Sequence, residues 1–210
     1  MIPIACWNVR GLNKKDHQQA IRELISSHNL RVCALVETRV VEKNAYFISN
    51  YVQSSWNWYF DYVNGPGKRI WVGWDSSYVN VSILGSTDQI VHCKITSHDH
   101  NMVLYVSFAY GLNTVGERRG LWDDMLAYSE NRVDDAWAVM GDFNAILDYS
   151  EALGGSMEED LNDEFQACLA VRTLLPFQWR VHGTHGTIDK EEMLANGEDW
   201  IGWWRTLIGS

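Results

Sequence analysis

Residues 3–37 read PIACWNVRGLNKKDHQQAIRELISSHNLRVCALVE, and this stretch decides the fold. It opens with the short apolar run PIACWNV, which is typical of a β-strand. The segment DHQQAIRELISSH follows and carries apolar residues at helical spacing, namely Ala20, Ile21, Leu24 and Ile25. The closing run LRVCALVE is again apolar and of strand length. A strand, a helix and a second apolar strand predict a βαβ unit, whose strands run parallel and lie side by side or close together.

The middle of the chain changes character. Five runs rich in β-branched and aromatic residues follow one another, separated by short polar or Gly/Pro segments: WNWYFDY, RIWVGW, VNVSIL, QIVHCKI and MVLYVSFAY. This pattern predicts an antiparallel meander. The segment TSHDHN between the last two runs contains turn-forming Asp and Asn, so we interpret His98 and His100 as part of an exposed hairpin tip.

The remaining elements predict an α/β architecture. GERRGLWDDMLAYSEN has an apolar helical face, made of Leu121, Trp122, Met125 and Leu126. A strand AWAVM, a loop GDFNAILDYSEALGG, a helix DEFQACLAV and a strand-like PFQWRV complete the interpretable part. This order indicates mixed β-sheets with helices outside them. We expect one domain spanning residues 1–210, because the chain is long enough for one sizeable core.

Composition and charge narrow the class of protein. The chain is 46% hydrophobic and has a formal net charge of −10, which gives no basic footprint of the kind expected for a nucleic-acid binder. Its four cysteines lack metal-binding spacing and indicate buried thiols in a reducing compartment. No apolar run is long enough for a membrane span, and the first residues lack a signal-peptide pattern. We expect an intracellular protein, in the nucleus or cytoplasm, without a membrane partner.

Polar residues collect where the predicted strands end. Asn8 follows the first strand, Glu37 ends the second, and Asp142 with Asn144 follows AWAVM. Ligands of open α/β sheets bind beyond the carboxyl ends of parallel strands, so Asn8 and Glu37 would share an edge, joined by Asp142 if AWAVM runs parallel to them. Oxygen donors of this kind suit Mg²⁺ or Mn²⁺. Each residue taken alone could equally be a turn or cap residue.

Four motifs give the chain a family resemblance. CWNVRGLN, ALVETR, VSFAYG and MGDFNAILDYSE occur in the order and approximate spacing of the endonuclease/exonuclease/phosphatase superfamily. Their wording most resembles the endonuclease domain of plant LINE-type (non-LTR) retrotransposons. The resemblance covers about residues 3–180 and is weaker to about residue 204. It implies a four-layer α/β sandwich of two mixed β-sheets flanked by helices, and metal-assisted phosphodiester hydrolysis that nicks DNA for retrotransposition.

The resemblance also implies a role for each matching residue. Asn8 matches the Asn that helps to hold the metal and the phosphate, and Glu37 matches the principal metal-binding carboxylate. Tyr110 matches the Tyr that hydrogen-bonds the scissile phosphate. Asp142 matches the Asp that orients or deprotonates the attacking water, and Asn144 matches the Asn that contacts the phosphate and the transition state.

One family motif has no match. The superfamily carries a Ser-Asp-His motif on a late strand, and no such sequence occurs in these 210 residues. Asp189 matches a second, earlier Asp of the family, and residues from about 181 to 210 diverge. We therefore expect the last strand or strands to be missing and activity to be strongly reduced, because loss of a general acid or base lowers rates about 10²- to 10⁴-fold.

Other functions stay open at this stage. The chain could be a catalytically inactive remnant of a retrotransposon that still folds or binds. It could also be a phosphatase or an RNA-directed member of the same superfamily. In the DNA hypothesis, Arg39, Arg118 and Arg119 are candidate phosphate contacts, although solvated helix and loop positions are the alternative for all three. The sequence does not identify a protein partner.

Overall fold

The computed structural model describes residues 2–62, 70–99, 101–131 and 137–145. Within these ranges the chain forms eight strands and three helices. In chain order they are β1 (Ile4–Asn8), α1 (Lys15–Ser27), β2 (Val32–Val36), α2 (Glu42–Gln53), β3 (Asn57–Phe60), β4 (Trp71–Trp74), β5 (Val79–Ser86), β6 (Ile90–Ser97), β7 (Val103–Tyr110), α3 (Val115–Glu130) and β8 (Trp137–Asp142). The predicted DEFQACLAV helix and PFQWRV strand lie outside the described residues.

The first sheet has the order β1-β2-β4-β3. β1 and β2 are parallel neighbours, with Ile4 opposite Val32 and Asn8 opposite Val36, which confirms the predicted βαβ unit. The other two strands pair antiparallel, so the sheet is mixed. All five residues of β2 are buried, as expected for a strand covered on both faces.

The second sheet has the order β5-β6-β7-β8. β5, β6 and β7 form an antiparallel series. The single meander predicted from five consecutive runs is therefore wrong: the first two runs, β3 and β4, join β2 in the first sheet, and only the last three form the second. Local pattern identifies a strand but does not specify its partner, because pairing depends on contacts distant in sequence. The predicted fold class, α/β with two β-sheets and helices, is confirmed, and each sheet has four strands among the described residues.

Two hydrophobic cores hold the sheets and the first two helices together as layers. One core joins the facing sides of the two sheets, with Val36 and Val72 contributed by the first sheet and Val106 and Phe108 by the second. The other lies on the opposite side of the first sheet, where β2 packs with α1 and α2 through Cys33, Leu35 and further residues. Because strand side chains alternate in direction, β2 contributes to both cores.

α2 has no counterpart in the sequence-based expectation. Its buried residues are Ala45, Ile48, Ser49 and Val52, a regular helical pattern. This signal is present in the sequence, but it is obscured because the same helix exposes large aromatic side chains.

Contacts divide the chain into two compact units. The described residues up to Tyr110, together with β8 as far as Gly141, belong to the first unit. The second unit starts at Gly111, holds α3 and also includes Asp142 and the described residues after it. The expectation of one domain over residues 1–210 stays a prediction. None of the three described helices combines the length and hydropathy that crossing a membrane requires.

Candidate active site

Asn8 and Glu37 lie at the same edge of the first sheet. Asn8 is the last residue of β1, and Glu37 directly follows the last residue of β2. Since these strands are parallel neighbours and Asn8 pairs with Val36, both residues stand at the carboxyl ends of adjacent strands. This is where ligands bind in open α/β sheets. The structure thus brings together the two residues proposed for the metal.

Hydrogen bonds continue beyond the two strands and tie the loops that follow them. The backbone N–H of Gly11 donates to the carbonyl oxygen of Glu37 at 2.8 Å, and that of Leu12 donates to Thr38, also at 2.8 Å. The Asn13 side-chain amide then donates to the Arg39 carbonyl oxygen at 2.8 Å. The Glu37 backbone is therefore fixed by its neighbour loop, and not by β2 alone.

These two loops contain unusual backbone conformations. Arg10, Glu37 and Arg39 have φ angles of 45°, 57° and 52°, in the left-handed region that non-glycine residues seldom adopt. Such residues persist only where the surrounding structure holds them, and they cluster at functional sites. The bonds between the loops provide that support, so the local strain marks this edge as a candidate site.

The Glu37 carboxylate is buried and paired. Glu37 is only 7% exposed, and its Oε1 contacts Nη2 of Arg39, a side chain that is largely exposed. A buried carboxylate requires a compensating positive charge or hydrogen-bond donor. In this structure Arg39 supplies the charge, which places a cation directly at the oxygen proposed to hold a metal.

The donor chemistry fits a hard divalent cation. Glu37 provides a carboxylate oxygen, and Asn8 Oδ1 provides an amide oxygen that also accepts a hydrogen bond from the Arg10 backbone N–H at 3.0 Å. Beside them, Thr38 Oγ1 is buried and has no hydrogen-bond partner among the described residues. Mg²⁺ keeps several waters and needs only one or two carboxylates from the protein. Within the described part of the chain, no group of three or more His, Cys, Asp and Glu side chains gathers as a metal cluster.

Tyr110 ends β7 with its side chain buried in the core between the sheets. Its backbone N–H donates to the carbonyl oxygen of Gln89 at 2.8 Å, which holds the strand end against the start of β6. Tyr110 is therefore held at a defined end of the second sheet.

At the other end of the β6–β7 hairpin, β6 stops at Ser97 and β7 starts at Val103, which confirms the predicted turn around His98.

Asp142 and Asn144 form a separate compact arrangement in the second unit. Asp142 is the last residue of β8, a strand that the sequence-based prediction ended two residues earlier. Its Oδ1 accepts a hydrogen bond from the Asn144 backbone N–H at 3.0 Å. Asn144 adopts a left-handed φ of 46° and directs its side-chain amide at the Gly111 carbonyl oxygen, 2.6 Å away. β8 lies in the second sheet, so Asp142 does not share a sheet with Asn8 and Glu37.

The expectation that Arg118 contacts phosphate or solvent is wrong. Arg118 was a candidate phosphate contact or a solvated helix residue, but it is 2% exposed and lies on the buried face of α3. Its Nη1 donates to the carbonyl oxygens of Leu112 and Asn113 at 2.8 and 2.9 Å. Arg118 therefore holds the segment that follows Gly111. The neighbouring Arg119 is exposed, as one of the two alternatives expected.

Sequence reasoning missed Arg118 and Gly111 as supporting residues. Arg118 stands three residues before the apolar Leu121 and therefore on the same helical side, which is a weak signal of burial. A Cβ atom on Gly111 would lie 2.1 Å from the Phe143 carbonyl oxygen, so only glycine fits there. No pattern in the sequence predicts the close contact between Gly111 and Phe143. Asp189 lies outside the described residues.

Comparisons with known proteins support this architecture. No curated protein matches the chain in sequence. Among solved structures, the endonuclease domain of TRAS1, a telomere-specific non-LTR retrotransposon, is similar with a TM-score of 0.60 and 13% identity over 81% of this chain and 70% of its own. Humanised D. rerio TDP2 carrying 14 mutations gives a TM-score of 0.52 and 14% identity over 69% of this chain. The chain spans 63% of the length of that TDP2 structure. At these identities, the likeness shows a shared fold.

The sequence itself carries the family assignment. The model of the Endonuclease/Exonuclease/phosphatase family matches residues 5–207, which is nearly the whole chain. The matched range contains Asn8, Glu37, Tyr110, Asp142 and Asn144. With the two sheets and the Asn8–Glu37 edge, the match shows that the chain belongs to the Endonuclease/Exonuclease/phosphatase family.

Proposed function

We propose that the chain is a Mg²⁺- or Mn²⁺-dependent phosphodiesterase whose substrate is DNA, and that it nicks DNA in the manner of a retrotransposon endonuclease. The observation that carries the proposal is the placement of Asn8 and the buried Glu37 carboxylate at one edge of the parallel β1–β2 pair. Enzymes of this family generally use divalent metals. The choice of DNA as substrate and of a plant LINE origin rests on the residues of the four sequence motifs.

Each residue has a chemical task in this proposal. Glu37 and Asn8 would hold the metal through their side-chain oxygens. When bound, a divalent ion polarises a phosphoryl oxygen and stabilises the leaving alkoxide. Tyr110 would donate a hydrogen bond from its hydroxyl group to the scissile phosphate.

Asp142 and Asn144 would act on the nucleophile and the phosphate. Asp142 would accept a proton from water or orient it, while the Asn144 amide would keep one N–H on the Gly111 carbonyl and donate the other to a phosphate oxygen. The Asn144 backbone stays fixed by its bond to Asp142.

We further propose that these 210 residues alone cleave slowly, because they contain no Ser-Asp-His sequence to supply the family histidine. A missing general acid or base lowers rates about 10²- to 10⁴-fold. A chain that folds and binds DNA but does not cleave it corresponds to the inactive-remnant hypothesis. Hydrolysis of a phosphomonoester or of RNA in preference to DNA corresponds to the other alternative.

Plasmid nicking tests the proposal. Supercoiled DNA is incubated with the chain and Mg²⁺, Mn²⁺ or EDTA, and with the variants Glu37→Gln and Asp142→Asn. The matched control is Asp123→Asn, which makes the same carboxylate-to-amide change at an exposed position of α3. We expect slow, metal-dependent nicking that both site variants reduce at least 100-fold and the control does not change. Nicking that survives EDTA or Glu37→Gln contradicts the metal role, and rapid nicking contradicts the proposed impairment.

A further inference from the structure

The outward face of α2 is unusually aromatic. Tyr46 and Phe47 are 74% and 76% exposed, and Tyr51 and Val41 beside them are also exposed. Four of the seven exposed large hydrophobic residues in the described chain thus fall within 11 consecutive positions. Scattered exposed apolar residues need no explanation, but a concentrated group marks an interaction surface.

Helical spacing arranges this group as a stripe. Lys43, Phe47 and Tyr51 are each four residues apart, and Tyr46 lies beside Asn50 in the same way, so their side chains neighbour one another along one face. Phe47 and Tyr51 are separated by about 6 Å along the helix axis. This is close to the length of two nucleotides in a stacked strand, about 7 Å. We call the residues Lys43, Tyr46, Phe47, Asn50 and Tyr51 the α2 stripe.

The N-terminal segment of the chain differs in charge from the rest. Residues 1–56 contain seven Lys and Arg against four Asp and Glu, a net charge of +3, whereas residues 57–210 contain ten against 23, a net charge of −13. Arg22 of α1 reaches the stripe, where its Nη1 lies 3.5 Å from the Tyr51 carbonyl oxygen. Lys43 and Arg22 therefore place two cations at the stripe, while Arg31 and Arg39 of the same segment pair with Asp75 and Glu37.

The stripe starts beside the candidate active site. α2 begins at Glu42, five residues after Glu37, so its N-terminal end lies near the sheet edge that carries the metal-binding residues. Its axis leads from this edge toward Gln53. A strand whose phosphate occupies the site would have its neighbouring nucleotides within reach of the stripe.

We propose that the α2 stripe binds unpaired bases of a single-stranded nucleic-acid segment that adjoins the cleaved phosphodiester. Aromatic side chains that alternate with basic and amide groups bind single strands by stacking on the bases and by attracting the phosphates. A second copy of this chain is the alternative occupant, and sedimentation tests for it. The proposal rests on the proposed function, since it assigns a substrate-binding surface to the same site.

Binding without cleavage tests this proposal. Fluorescence anisotropy in EDTA measures the Kd of the full chain for a labelled 20-nucleotide single strand and for the same strand in a duplex. The variant is Tyr46→Ala combined with Phe47→Ala, and circular dichroism verifies its fold. The control is Leu84→Ala combined with Val103→Ala, which removes two exposed apolar side chains from the second sheet. We expect the α2 variant to raise the single-strand Kd about five- to 150-fold for each lost stack, and the control to leave it unchanged.

Two further measurements separate stacking from charge. Lys43→Gln should weaken single-strand and duplex binding alike and lower the slope of log Kd against log salt by about one. The aromatic variant should leave that slope unchanged and act mainly on the single strand. Equal single-strand affinity of the variant and the wild type overturns the proposal, as does self-association in sedimentation experiments that disappears in the aromatic variant without any change in DNA affinity.

The two proposals fail in different ways. If the plasmid is nicked but the aromatic variant binds single strands normally, the surface is wrong and the nuclease assignment stands. If single-strand binding depends on Tyr46 and Phe47 but no condition gives cleavage, the surface stands and the activity is absent.

Discussion

The Asn144 side-chain amide donates a hydrogen bond to the Gly111 carbonyl oxygen across 2.6 Å, joining residues 33 positions apart in the chain. The Gly111 backbone N–H donates in turn to the carbonyl oxygen of Asp142 at 2.8 Å. Both polar atoms of the Gly111 backbone are therefore used to hold the segment that carries the proposed water-orienting Asp. This glycine positions the site without contributing a side chain to it.

Gly111→Ala should disrupt this arrangement. The new methyl carbon would lie 2.1 Å from the Phe143 carbonyl oxygen and 2.7 Å from its carbon, so the backbone must move. We expect a loss of stability of about 1–3 kcal/mol in chemical denaturation, together with reduced nicking. Gly116→Ala is the control, because a Cβ there meets nothing within 4 Å and lies in α3. It should stabilise the protein by about 0.5–1 kcal/mol, and equal effects at the two glycines would contradict this explanation.

Arg118→Met should destabilise the same region. The change keeps much of the apolar volume but removes the donor to the carbonyl oxygens of Leu112 and Asn113. Both bonds are only partly buried, so their loss should cost about 0.5–1.5 kcal/mol each. Urea unfolding measures the loss, and Arg119→Met, at an exposed neighbouring position, should change stability by less than about 0.5 kcal/mol. An Arg118 variant with wild-type stability would show that the guanidinium does not support the 112–113 segment.

Arg39→Gln should strengthen metal binding. The Arg39 guanidinium contacts the Glu37 carboxylate, so it competes with a divalent cation for the same oxygen. Pairs that are partly exposed contribute about 1 kcal/mol or less, which corresponds to a gain of up to about fivefold in Mg²⁺ affinity. Isothermal titration of Mg²⁺ or Mn²⁺ into both proteins measures it, with Arg22→Gln as a control distant from Glu37. Weaker binding by the Arg39 variant would indicate that the arginine organises the carboxylate and does not compete with the metal.

Alkaline pH should destabilise the protein through its buried thiols. Burial raises the pKa of Cys33 from 9.0 to about 12, and that of Cys93 to about 12 as well. The folded state therefore retains these protons while the unfolded chain releases them above about pH 9. The contribution to stability is complete below pH 9 and is lost as pH rises toward 12, at up to about 1.4 kcal/mol per pH unit for each thiol.

Denaturation in urea at pH 8, 9.5 and 10.5 measures this effect. Cys33→Ala removes one of the two thiols, so its free energy of unfolding should fall less steeply with pH than that of the wild type. Parallel profiles would exclude the thiol as a source of the pH dependence. In the folded protein, iodoacetamide at pH 8 should label the half-buried Cys6 faster than Cys33 or Cys93.

The part of the fold that depends on local pattern was predictable. The first strand, α1 and β2 follow from apolar periodicity, and the parallel pairing follows because a helix separates the two strands. The division of five β-type runs between two sheets was not predictable from pattern, because nothing in the sequence of β4 specifies β2 as its neighbour. α2 was not predicted because the exposed Tyr46 and Phe47 conceal its apolar periodicity.

The candidate site was predictable as a set of residue types, but not as a geometry. Glu37 and Asn8 were identifiable because parallel strands place their ends together. The Arg39 contact with Glu37, the left-handed conformations and the role of Gly111 follow from backbone positions that only folding establishes. Arg118 is the clearest example. In the sequence it is one of several charged residues, whereas in the structure it is buried and donates hydrogen bonds to two backbone carbonyl oxygens.

The loops after β1 and β2 are joined mainly through main-chain atoms, as in the bonds from Gly11 to Glu37 and from Leu12 to Thr38. Main-chain hydrogen bonds of this kind depend little on the identity of the side chains, but they depend on the number of residues in each loop. Exposed side chains in these loops can therefore be exchanged with little structural effect, whereas the insertion or deletion of a single residue would shift every bond beyond it by one position. In this part of the molecule, the length of the loops is more constrained than their composition.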